Sequence, residues 1–380
     1  MNSKKWMGIS IIILAILALG YTVIIQRKSI SASKTLRVGV LIPLTGKFAN
    51  YGEDIKNALE LGKRSLQNTQ GISIELVYED SAADPKTAVP AAVKLIEVEK
   101  AAFVIGGPGS SANLAAAPLF EKHHIPFLPI SNAPRLENAG IYIFKMLSSI
   151  YPELDIALPE LQSERIQRIS IIYDSASDTL TLGKDYLTKI LVQAGGTVAI
   201  SEGYDSKSTI DFRSTLTKIK GSSSDAVYLF SADKDGGSII RQARELGLSI
   251  PFYGWGAQNT AEFFNAAGNF SEGMTITDVP FSCEDTKAER TIRYCSEYKN
   301  TYNNRIPLMF GARAYDTLVL SAERYAQGTP DDKVRQFIEN MTRIRNYQGI
   351  SGTVDIDKNG NAEDKVFVIR VAKNGAFVQK

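Results

Sequence analysis

The chain has 380 residues, 44% hydrophobic and 22% charged, the proportions of a folded globular protein long enough for two cores. Its 43 Lys and Arg against 41 Asp and Glu leave a net charge of +2 without a basic block, which excludes nucleic acid as the main partner. Two cysteines without histidine partners exclude a zinc site of the usual kind.

The N-terminus carries an uncharged run, Met7 to Ile25, behind Lys4 and Lys5. As a helix it would reach ~28 Å, enough to cross a bilayer core. It targets the chain to a membrane, either as an uncleaved anchor through residues 7–25 or as a signal segment cut at Ala18-Leu19-Gly20 or Ser31-Ala32-Ser33. Arg27 and Lys28 balance Lys4 and Lys5, so charge does not fix its orientation.

After a serine-rich spacer the folded part begins with a strand, Leu36 to Ile42, a loop to Tyr51 and a helix from Gly52 to Leu66. The beat repeats with a strand at Ile72 to Glu79, an acidic turn and a helix from Pro85. The stretch from Ala101 to Pro134 then reads as a buried strand (Ala102 to Ile105), a turn of glycines and hydroxyls, a helix (Asn113 to His123) and a second strand (Pro126 to Ile130) ending in Ser131 and Asn132. Ser110 and Ser111 are placed to cap that helix beside Gly109, leaving N–H groups where a carboxylate can settle against the positive helix end.

Tyr142 to Leu147 reads as a further strand, and near Ser148 a second series starts. Strands at Arg168 to Asp174, Thr197 to Tyr204, Ala226 to Phe230 and Phe252 to Tyr253 alternate with helices at Leu182 to Ala194, Ile210 to Ile219 and Gly236 to Leu246. Later come two amphipathic helices, Thr286 to Thr301 and Gly311 to Ala326. Turn signals at Lys358-Asn359-Gly360 and Lys373-Asn374-Gly375 close the chain with antiparallel strands. The fold class is therefore α/β, with two doubly wound parallel-sheet lobes joined by a multi-stranded hinge. Residues 1–35 form the anchor or signal segment with its spacer, 36–147 with 277–348 lobe one, and 148–276 with 349–380 lobe two.

In an oxidising compartment Cys283 and Cys295 read as a bridge closing a small loop, a stabilisation of roughly 3 kcal/mol, or else as two buried thiols. No catalytic constellation is found. GGPGSS lacks both dinucleotide and P-loop spacing, no GxSxG elbow is present, and the adjacent His123 and His124 diverge at a helix end.

Several stretches in order, among them GVLIPLTGKFANYGEDIKNALELG, YEDSAADPKTAV, FVIGGPGSSANLAAAPLFEKHHIPFLPISNAP and GGSIIRQARELGL, resemble the branched-chain amino acid type of extracytoplasmic solute-binding protein, the periplasmic binding fold type I. The likeness runs from Leu36 to the C-terminus. It implies a non-enzymatic receptor without cofactor or metal, acting outside the cytoplasm. Such a receptor closes on a small carboxylate-bearing solute and delivers it to the permease subunits of an ABC importer. In that family the serine after the glycine turn binds the ligand carboxylate, which falls on Ser110; the next strand end falls on Ser131 and Asn132, and the first-loop aromatic on Tyr51. The acid that holds a ligand ammonium falls on Gly256, beside Trp255, so Asp233 or Asp235 is the candidate replacement, and a carboxylic acid with an apolar or aromatic tail packed on Trp255 fits as well. The alternative is a membrane-anchored sensor that uses the same fold to signal to a partner receptor.

Overall fold

The computed structural model describes residues 35–380 apart from 71, 285, 330 and 365. The apolar run at 7–25 lies outside the described residues, and among those described no helix is long and apolar enough to cross a membrane. Strands β1 (Leu36–Ile42), β2 (Ile74–Asp80), β3 (Phe103–Gly106) and β4 (Phe127–Pro129) form a parallel sheet in the order β2-β1-β3-β4. Helix α1 (Ala49–Gln70) covers one face, α2 (Pro85–Glu97) and α3 (Ser110–Lys122) the other. The period of two along β1 sends Val38, Val40 and Ile42 into the α1 core and Leu41 into the α2–α3 core. The inner β3 and its neighbour β4 are short, wholly buried apolar runs, while the edge strand β2 keeps Glu75, Glu79 and Asp80.

Helix α4 (Ile150–Ser163) begins lobe two, followed by β5 (Arg168–Asp174), α5 (Asp178–Gln193), β6 (Thr197–Tyr204), α6 (Arg213–Lys220), β7 (Ala226–Phe230), α7 (Asp233–Glu245), β8 (Phe252–Trp255), α8 (Ala261–Ala267) and β9 (Thr275–Asp278). The chain then returns to lobe one as α9 (Glu289–Thr301), α10 (Met309–Ala326), α11 (Lys333–Thr342) and a small antiparallel sheet of β10 (Tyr347–Gln348), β11 (Thr353–Ile356) and β12 (Ala362–Glu363). It crosses back as β13 (Val368–Lys373) and β14 (Ala376–Gln379). The lobe-two sheet runs β14-β13-β9-β8-β7-β5-β6, with β13 antiparallel to both β9 and β14.

The crossings are held by buried charges. The Arg313 guanidinium pairs with Asp364, which also accepts the Ser148 N–H at 3.0 Å, so the first and last crossings share one carboxylate. Arg370 pairs with Asp278 at 3.1 Å and reaches the Phe281 carbonyl at 3.3 Å, tying the last crossing to the middle one. Cys283 and Cys295 are joined, with an S–S length of 2.03 Å, and fasten the middle crossing to α9.

Three expectations from sequence shift. Lobe two was expected to take up the chain again at 349, but Val354, Ile356 and Ala362 bury their side chains in the lobe-one core, and only β13 and β14 return. The return to lobe one expected at 277 comes later, because Thr277 and Asp278 complete β9 in the lobe-two sheet. The segment expected as a strand at Tyr142 to Leu147 makes a single bridge, Phe127 to Ile143. Helices α4 and α11 were not expected; in α4, Pro159 reads as a breaker although Ile150, Leu154, Ala157 and Leu161 keep the helical period.

Candidate functional site

In both lobes the order of strands reverses beside the first of them, β1/β3 above and β5/β7 below, so the loops leaving those strands meet across a cleft at the carboxyl ends. Loop geometry then decides what each helix start can offer.

At α3 the expected serine cap is absent. Gly109, with φ of 114°, is the N-cap and makes no side-chain capping bond, while Ser110 and Ser111 already lie in the first turn. Only glycine adopts that φ without strain. The turn is stiffened from behind, where the buried Asn113 amide donates to the Gly107 carbonyl at 2.8 Å. No acid lies in this first turn. Across the cleft α5 is capped by Ser177 and opens with Asp178, and α7 opens with Asp233 and Asp235. The start of α3 thus keeps its partial positive charge for an incoming anion.

The other candidates surround this edge. Ser131 is buried, its Oγ accepting the Ala133 N–H at 3.3 Å, and the Asn132 carbonyl accepts the Ile150 N–H at 3.2 Å where the chain crosses lobes. Ser111 Oγ donates to the Ala176 carbonyl of lobe two at 3.3 Å. Tyr51 is buried, donates to the Ala257 carbonyl at 3.0 Å and meets the Phe310 ring edge-on at 5.3 Å. Asp233, 2% exposed, accepts from the Asn50 amide at 2.9 Å. Burial pushes its carboxyl up, while the Lys234 N–H and the Asn50 amide draw it down. Lys47 pairs with Asp235 and also donates to the Ser206 carbonyl at 3.3 Å.

Trp255 is turned inward. Its indole N–H donates to the Ser231 carbonyl at 2.9 Å and its ring joins the core with Phe230 and Leu180. The eight candidates therefore share the cleft edge without lining one chamber. Tyr51 lines a cavity of about 560 Å3. Asp233 lines one of about 260 Å3, and the other six line neither.

The acids beside Gly256 escaped the sequence reading. Glu153, in the first turn of α4, accepts the Gly256 N–H and the Thr277 hydroxyl, each at 3.0 Å. Burial pushes Glu153 up to about 8 and Asp278 up to about 6, the latter against the pull of Arg370. An acid at the carboxyl end of a strand, as in TITD, was the available signal for Asp278; Glu153 lies in a helix that was not foreseen.

Two parallel-sheet lobes, crossed by several strands and facing each other at helix starts and strand ends, make a receptor that encloses a small molecule between them. The sequence profile of the periplasmic binding protein family matches residues 35–376, and the chain belongs to that family, one of extracytoplasmic solute-binding receptors. It is 24% identical over 345 residues to the leucine-, isoleucine-, valine-, threonine- and alanine-binding protein of Pseudomonas aeruginosa, covering 89% of this chain and 90% of that one. The branched-chain amino acid substrate-binding protein of Streptococcus pneumoniae, solved with isoleucine, matches with a TM-score of 0.81 at 22% identity over 91% of this chain and 100% of that one. A solute-binding protein of an ABC transporter from Rhodopseudomonas palustris, solved with benzoate, matches with a TM-score of 0.79 at 21% identity over 91% and 95% of the two chains.

Proposed function

We propose that the protein closes on a small carboxylate-bearing solute, an amino acid or a related organic acid, and delivers it to the permease subunits of an ABC importer. The carrying observation is the start of α3, which has neither a side-chain cap nor an acid and faces the lobe-two loop at Ala176. Isoleucine and benzoate, the ligands of two fold relatives, have a carboxylate in common and little else. In this reading the carboxylate docks on Ser110 and the first-turn N–H groups, Ser131 and Asn132 form the adjoining wall, and Tyr51 and Asp233 complete the enclosure from the two lobes. Closure persists because only the closed state lets both lobes touch the solute.

A thermal-shift screen of aliphatic amino acids, benzoates and their amides identifies the solute, since a ligand that binds the native state alone raises Tm. Acids are expected to shift Tm and the matching amides are not. Ser110→Ala should weaken binding of the best acid by roughly 1–3 kcal/mol in calorimetry. An unchanged affinity, or an amide that binds as well as its acid, removes the carboxylate from this position.

The apolar run at Met7 to Ile25 favours a second reading, an anchored sensor signalling to a partner receptor. N-terminal sequencing of the native protein and co-purification with permease subunits separate the two: a retained segment without permease supports the sensor, permease association the importer.

A further inference from the structure

The cavity of about 560 Å3 has walls from three parts of the chain. Lobe one gives the start of α1 and residues 305–310, lobe two gives 256–264 and 375–378, and the middle crossing gives 281–284. None of Gly109, Ser110, Ser111, Ser131 and Asn132 reaches it. The walls are braced: the Cys283–Cys295 bridge holds the crossing to α9, and Tyr298 of α9 donates to Asp54 of α1 at 2.9 Å.

Its charge is one-sided. Arg305 is committed to Glu53 and Arg370 to Asp278, while Asp54 is turned to the start of α10, accepting the Gly311 N–H at 2.7 Å. Glu262 remains. It is half-buried on α8, lines this cavity and the neighbouring one of about 260 Å3, and makes no hydrogen bond or ion pair among the described residues. Tyr51, Phe264, Phe281 and Phe310 line the same cavity. A half-buried carboxylate in a cavity with aromatic lining is a pairing that attracts an ammonium group with an apolar body, by charge and by the ring quadrupoles. An anion here would meet an uncompensated carboxylate, and a neutral solute would leave it unpaired.

We propose that this cavity binds an organic cation, an ammonium group on an aromatic or aliphatic body, with Glu262 as its counter-ion. The site does not rest on the carboxylate reading of the α3 start. Because both lobes wall it, an occupant holds them together, and the cation acts as a second ligand that favours closure.

Phenethylamine tests this near neutral pH by calorimetry, with 2-phenylethanol as the uncharged match. The amine is expected to bind, the alcohol to bind at least roughly tenfold more weakly, and Glu262→Gln to cost the amine a factor of about ten while Tm stays within the wild-type range. Ser110→Ala should leave amine affinity unchanged. The site is overturned if the amine does not bind, if alcohol and amine bind alike, if Glu262→Gln has no effect, or if Ser110→Ala abolishes amine binding. Should Ser110→Ala leave acid binding intact while Glu262→Gln removes amine binding, the carboxylate reading fails and this site stands.

Discussion

Gly256 and Asp278 compete for one volume: a Cβ on Gly256 would lie 2.5 Å from Asp278 Oδ1. The space beside this strand end is occupied by an acid from the next strand, one that Arg370 and the Asn259 amide hold in place, at 3.1 and 2.9 Å. Gly256→Ala should push Asp278 off Arg370 and cost about 1–3 kcal/mol in urea unfolding, as overpacking of a buried site does. Gly256→Glu should destabilise further without creating amino acid binding. A stable Gly256→Glu variant that gains affinity for leucine would show that Asp278 can yield.

The Glu153 carboxyl gives the protein a pH dependence of definite sign. Its value rises from the ordinary range to about 8 because the site is buried, only partly offset by the Gly256 N–H and the Thr277 hydroxyl. The folded state therefore holds this proton more tightly than the unfolded chain does. The contribution is complete below the ordinary carboxyl range and is lost as pH climbs toward 8. Glu153→Gln keeps the shape and removes the titration, so relative to wild type the variant should gain stability steadily between about pH 5 and 8, by a few kcal/mol in all. Parallel stability curves for the two proteins across that range would refute the assignment.

Much of the fold was written in the sequence because a parallel sheet covered on both faces needs unbroken apolar strands, and VIG at β3 or VYLF in β7 fit little else. The loops at the strand ends were equally legible, since GGPGSS and SADKDGG carry the small and polar residues that a strand-to-helix turn requires. What stayed hidden depends on tertiary choice. The segment from Thr353 to Ala362 has the turn chemistry of a hairpin, but nothing local says which lobe will bury Val354 and Ile356. Trp255 looked like a surface for a ligand tail, yet the Ser231 carbonyl that turns its indole inward is 24 residues away. The Ser110 cap failed for a local reason: Gly109 takes a φ of 114° as the N-cap, and the helix starts at Ser110, three residues before the expected Asn113.

The Cys283–Cys295 bridge staples the middle crossing to lobe one, where α9 packs Tyr294 and Tyr298 beside Ala58 and Leu61 of α1. Replacing both cysteines by serine should lower stability by roughly 3 kcal/mol in the chain-entropy model. It should also loosen Phe281 to Glu284, seen as faster amide exchange confined to that crossing and the start of α9. Unchanged exchange there, with a full loss of stability, would mean that the bridge acts on the unfolded chain alone.

The lobes are also latched to each other without help from a solute. Lys47 of lobe one pairs with Asp235 of lobe two, Asn50 donates to Asp233 at 2.9 Å, and Tyr51 donates to the Ala257 carbonyl at 3.0 Å. Asp235 is held from its own side by the Tyr204 hydroxyl at 3.0 Å, so Lys47→Met removes the cross-lobe ion and leaves its partner in position. A partly exposed pair of this kind contributes about 1 kcal/mol or less. That is enough to change a balanced open–closed equilibrium by about fivefold. The solute-free variant should show a larger radius of gyration by small-angle scattering, and solute affinity should fall by up to about the same factor, while the saturated variant matches wild type. High salt should act in the same direction as the substitution, and in the variant it should act only through the remaining cross-lobe pairs, Lys207–Asp84 and Arg135–Asp178. If the solute-free radius is the same with and without Lys47, this pair carries no share of closure, and the other cross-lobe contacts, among them those of Tyr51, Asn50 and Ser111, hold the lobes.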